Sequence, residues 1–212
     1  MLPFTHDALT ALFHNYNTGI HPAPWVMICG ALLALLCLLK PENIGGWAIS
    51  AILALFWMWT GGVFHMVYFT PLNFMGPVYG FFFLMQAVLF LAVGVVMGKL
   101  DFRLEKSLAA ALGLLFVVLA LVGYPLVEKL TGLANSDLRF AGTAPGPTAL
   151  FTVGLLLTVK KRKTALLMAL IPLAALGVEV YTGFVLNLPF DIYTSAAAFC
   201  AAALIFTKKQ TA

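Results

Sequence analysis

Hydrophobic positions run almost unbroken along most of the chain and are interrupted at intervals by short clusters of charge, Gly and Pro. Each run approaches the roughly 20 residues that a helix needs to cross a hydrocarbon core, where backbone groups must bond within the segment. Bounding the runs by charge, Gly and Pro gives seven spans: about 23–39, 47–69, 77–98, 107–127, 147–159, 164–186 and 191–207. The fifth is the shortest. It either begins earlier, in the Ala144-Pro145-Gly146-Pro147 turn, or is a half-helix shielded by its neighbours. Ahead of the first span the pattern changes. After Pro3, Thr5 can cap a helix over 5–18 in which Leu9, Leu12, Phe13 and Tyr16 share one face and Asp7, Thr10, His14 and Asn17 the other. Such a helix lies at the membrane surface. The fold expected is all-α, a single transmembrane domain over 1–212: an integral membrane helical bundle of about seven transmembrane helices plus an N-terminal amphipathic helix.

Composition narrows the function classes. The chain is 62% hydrophobic and 9% charged, with a mean hydropathy of +1.01. This excludes an ordinary soluble enzyme, a disordered tail and a nucleic-acid-binding module, and makes the lipid bilayer the first partner. The net charge of +4 has to be read by position. With seven spans, one side carries Lys40, then Lys99, Arg103 and Lys106, then Lys160 to Lys163, then Lys208 and Lys209; the other carries only Lys129 and Arg139. Ten basic residues against two predict a periplasmic N-terminus and a cytoplasmic C-terminus. The 160–163 run reads as a stop signal against lipid phosphates. No cleavable signal is legible at the start. Cys29, Cys37 and Cys200 have no paired spacing and read as small buried hydrophobes.

A weak self-similarity runs through the chain. Pro22-Ala23-Pro24 leading to Gly30 is matched by Pro145-Gly146-Pro147 leading to Gly154, and Thr60-Gly61 by Thr182-Gly183, at nearly one offset. The implied plan is a possible 3+1+3 parallel repeat, with the fourth span inverting the halves. Helix count alone carries no chemistry.

Ionisable groups inside apolar runs are the default functional candidates. Glu179 lies about 24 Å along the helix from Lys163 at 1.5 Å rise per residue, and His65 about 28 Å from Gly46. Both distances reach the outer half of the membrane. His6, His14 and His21 fall in the same outer region, flanked by Asp7, Glu128, Asp137 and Asp191. Gln86, Asn73, Thr148, Tyr181 and Thr60 can complete a polar pocket, and Pro172 with Gly177 can break the sixth span. The four serines have no obvious base beside them, and no phosphate loop, zinc helix or nucleophile elbow is present. No cofactor is identified; His21 with His65 makes a weak metal or haem ligand pair, and Met58, Met66, Met75 and Met85 near the outer half a weaker soft-metal path, since Met is an ordinary packing residue.

Several pieces in order resemble an uncharacterised family of bacterial multi-spanning inner-membrane proteins, a domain of unknown function. They are Leu2-Pro3-Phe4-Thr5; Tyr16-Asn17 before Pro22; Trp57-Met58-Trp59-Thr60-Gly61 followed by His65; and Asn73 after Phe69. Tyr79-Gly80 leading to Gln86, Gly123-Tyr124-Pro125, Pro145-Gly146-Pro147-Thr148 leading to Gly154, and Pro189 before Asp191 complete the set. The resemblance covers nearly the whole chain, implies an inner-membrane protein and supplies no activity. It leads one to expect Cys where Gly146 stands, Trp where His21 stands and no acid at Glu179. Three functions remain open. One is a protein that binds or transports a small solute or ion through a periplasm-facing pocket of His65, Gln86, Glu179, Asn73, Thr148 and Asp191, with the helix start after Pro147 offering donors to an anion. The second is a non-catalytic membrane-complex subunit or assembly factor, suggested by the small residues Thr60-Gly61-Gly62, for which a homo-oligomer or complex partner is expected. The third is a membrane metal or haem protein or enzyme using His21 and His65. An enzyme is the less favoured reading.

Overall fold

The computed structural model describes residues 2–39 and 44–207. Lys40, Lys208 and Lys209, which contribute to the charge asymmetry, lie outside the described residues. Helices dominate: α1 (His6–Gly19), α2 (Ala23–Leu39), α3 (Ile44–Trp59), α4 (Gly76–Leu89), α5 (Leu108–Val118), α6 (Tyr124–Leu130), α7 (Pro145–Leu156), α8 (Arg162–Leu186) and α9 (Pro189–Thr207). Three continue as wider π-helical turns: α3 through Thr60–Phe69, α4 through Phe90–Val96, and α5 through Leu119–Gly123 into α6. Among the described residues there is no strand, only an isolated antiparallel bridge between Phe102 and Val159. The chain is an all-α membrane protein.

The span count is a different matter. Four continuous helical stretches are long and apolar enough to cross a membrane: Gly45–Phe69, Gly76–Val96, Leu108–Leu130 and Arg162–Leu186. Counting α1 with α2 adds a fifth, but those two meet at 85°. Helices do occupy the other three expected stretches. Of these, α2 has 17 residues and α7 only 12, so seven full spans are not established. The length of α7 follows from its surroundings. Every residue from Gly146 to Leu156 is buried, so its backbone meets protein rather than lipid and no bilayer thickness dictates its length.

Helix α7 is the core around which α5, α8 and α9 pack. It approaches α5 through a glycine pair: a Cβ on Gly154 would lie 2.7 Å from the Gly113 carbonyl oxygen, so only hydrogen fits there. Trp57 Nε1 donates to Thr152 Oγ1 at 2.8 Å and ties α3 to the same helix. By contrast α2, its counterpart in the supposed repeat, exposes Trp25, Leu32, Leu33, Leu36 and Leu39. Gly61 packs on Gly80 and Phe83 of α4, so the small residues at 60–61 serve contact within this chain.

Two expectations are corrected. Helix α8 is not broken at Pro172; it runs continuously from Arg162 to Leu186. Pro172 has no N–H for the Met168 carbonyl one turn earlier, and Gln86 Nε2 fills the gap, donating to Met168 O at 3.0 Å. The cysteines are free, and Cys29 and Cys200 are exposed rather than buried. They sit on helix faces that lipid can cover.

Candidate functional site

Helix α1 starts as its sequence dictates, with the Ala8 N–H donating to Thr5 Oγ1 at 3.3 Å. It lays Leu12, Phe13 and Tyr16 against the bundle. Asn17, expected on the wet face, is buried instead, because Nδ2 donates to the carbonyls of Ser136 and Leu138 at 2.7 and 2.8 Å. Tyr16 Oη donates to Thr143 O at 2.9 Å; its phenol is pushed above the ordinary range, chiefly by burial. These bonds strap α1 to the 135–143 segment. His14 adds to them, its Nδ1 lying 2.8 Å from Asp137 Oδ1 and 3.0 Å from Ser136 Oγ. A serine thus does stand beside a histidine and an acid. Hydroxyl and carboxylate share one ring nitrogen, however, so the imidazole cannot relay between them as in a nucleophilic triad.

The strapped segment delivers Arg139, which composition presents only as an outer basic residue. Its side chain is 11% exposed and meets three carboxylates. Nε bonds Glu128 Oε1, while the Arg139 backbone N–H donates to Glu128 Oε2 at 2.7 Å. Nη2 donates to Asp191 Oδ2 at 2.9 Å. Glu179 Oε2 lies 3.9 Å from Nη1, and the guanidinium carbon sits 5.1 Å from the Tyr124 ring centroid. Burial alone would lower the guanidinium pKa, but Asp191 and Glu128 hold it well above its ordinary value, so Arg139 stays charged. One cation faces three acids here. Asp191 Oδ1 and Tyr124 Oη are buried without a hydrogen-bond partner.

Glu179 packs closely against Gly146 as it reaches this cluster. A Cβ on Gly146 would lie 3.0 Å from both Glu179 Cδ and Tyr124 Oη. The N-terminus of α7, expected to offer donors to an anionic solute, is therefore already beside the chain's own carboxylate, where the helix dipole favours it.

Beside Arg139 lies a cavity of about 80 Å³ that also contains His65 and Glu179. His65 sits within the π-helical turns that extend α3 and is 5% exposed. Both of its ring nitrogens lack a hydrogen-bond partner. Phe64, Phe69, Tyr79 and Phe83 enclose it at centroid distances of 4.5–5.7 Å. Helix α1 roofs the cavity with Leu9 and Phe13, and both also line a second cavity, of about 230 Å³, on the Glu128 and Asp191 side of Arg139.

Of the residues singled out from sequence, His65 and Glu179 meet at the first cavity, and Asp191 joins Glu179 through Arg139. Glu128, named there as a flanking acid, joins the same cluster, whereas Gln86, Asn73, Thr148 and His21 stand apart. Gln86 is tied to Met168 O. Asn73 Oδ1 accepts from the Met75 N–H in a turn. Thr148 Oγ1 accepts from the Gly142 N–H and donates to Ala144 O. His21 lines a separate cavity with Asn17 and Trp25, and no three His, Cys, Asp or Glu converge as a metal site among the described residues.

A known family matches the chain over residues 7–212, described as a family of unknown function (DUF6064). The chain belongs to that family. No curated protein and no solved structure matches it.

Proposed function

We propose that the chain is a bacterial inner-membrane protein that binds or transports a small solute or ion. Its pocket is the cavity shared by His65, Glu179 and Arg139, opening toward the periplasm beneath α1. One observation carries this reading: a buried histidine with both ring nitrogens unpartnered faces a cavity it shares with two buried charged groups. Buried polar groups are ordinarily satisfied within a protein, so an unsatisfied one at a cavity favours an absent ligand. The excess of basic residues at the opposite loops supports the orientation.

Native mass spectrometry of gently solubilised protein beside a His65→Ala variant tests the reading. A discrete non-lipid adduct present in the wild type and lost in the variant is the expected result. An adduct that persists unchanged in the variant overturns the assignment to this cavity.

A further inference from the structure

We infer that the cavity takes a small organic ammonium ion, an amine bearing methyl or short alkyl groups. The inference rests on the solute-binding reading and gives that solute a chemical class. The wall is the first argument. Phe4, Phe13, Phe64, Phe69, Tyr79 and Phe83 contribute to it. Aromatic faces attract an ammonium charge while their apolar surface receives its alkyl groups. A hard inorganic cation wants several oxygen ligands, which this wall does not supply.

Charge is the second argument. When all are ionised, Glu128, Glu179 and Asp191 carry three negative charges against one on Arg139. The guanidinium is committed by hydrogen bonds to Glu128 and Asp191, whereas Glu179 meets it only at 3.9 Å. Glu179 is thus the acid that the guanidinium does not hydrogen-bond, at an aromatic cavity where an ionised carboxylate without a counter-charge is costly. A bound cation pairs with the ionised acid, whereas an anion or a neutral solute supplies no counter-charge and leaves the carboxyl to its protonated form. His65 is the third argument, since a neutral imidazole offers one acceptor nitrogen to an ammonium N–H. By liquid volume the cavity holds about three waters, which suits a solute of a few non-hydrogen atoms. The neighbouring second cavity shares Leu9, Phe13 and Arg139 with it and is lined by Glu128, Asp137 and Asp191, which favour a cation at this end of the bundle.

The test is calorimetric titration of the full chain in detergent with trimethylammonium, beside tert-butanol, a neutral solute that also carries three methyl groups, and the anion acetate. Saturable trimethylammonium binding is expected, weakened at least tenfold by Glu179→Gln, with no response to the other two probes. Phe13→Leu, which replaces one ring in the roof, should weaken it severalfold and serves if the Gln variant fails to fold, as read by melting temperature. Unchanged binding in both variants, or equal binding of tert-butanol or acetate, overturns the inference. If a non-ammonium adduct is lost in His65→Ala while trimethylammonium fails to bind, the ammonium class falls and the pocket stands. If neither an adduct nor saturable binding of any probe is seen, both readings fall.

Discussion

Arg139 holds together groups from four parts of the chain, and the price of losing it is set by what it leaves behind. Arg139→Ala strands three buried carboxylates, Glu128, Glu179 and Asp191. Breaking a buried charge pair from one side costs about 3–5 kcal/mol, so a large fall in melting temperature is expected in a thermal unfolding scan. Glu179→Gln should be near neutral or stabilising in the same scan, because it removes surplus negative charge from a long contact. The two residues also differ in how far sequence exposes them. Glu179 and His65 are legible because a titratable group inside an apolar run is conspicuous. Arg139 lies in a loop, where a basic residue reads as a topology signal. Its only hint was being one of two basic residues on an otherwise unpopulated side.

At the scale of elements, the N-cap and apolar face of α1 were readable from pattern, but its partner was not. The contacts of Asn17, Tyr16 and His14 to residues 136–143 span more than a hundred positions, and hydrophobic period carries no such information. The strap should loosen in acid. Although burial opposes it, hydrogen bonds from His14 and Ser136 hold the Asp137 carboxyl below its ordinary value. A depressed folded-state pKa gives stability that is full above the unfolded value of about 3.9 and lost as pH falls through the folded one. Amide exchange over 6–19 should therefore accelerate below about pH 4 beyond its intrinsic trend, and Asp137→Asn should lack that added acid limb. Helix α8 gives a second prediction. Pro172 reads in sequence as a break, and the side chain that repairs it comes from another helix. Gln86→Leu should cost about 1–3 kcal/mol by leaving Met168 O unsatisfied, and Pro172→Ala should recover much of that loss in a double-mutant cycle.

For the whole molecule, apolar runs fix the class of fold, while span number depends on which helices need to meet lipid. Helix α7 looks like a weak span in sequence because it is a short helix enclosed by protein. Orientation is tested by labelling in a background lacking the three native cysteines. A cysteine at Lys161 should resist an impermeant reagent added outside intact cells, and one at Asp7 should react; the reverse pattern refutes the proposed topology. The geometry at Gly146 reaches beyond this chain. The resemblance leads one to expect a cysteine at that position and no acid at 179, and a side chain at 146 would crowd the Glu179 carboxyl, its Cβ lying 3.0 Å from Glu179 Cδ, so that a cysteine there would make the acid shift. Relatives with a thiol at 146 would present a different chemical group at the same spot, so kinship within the family need not mean a shared ligand.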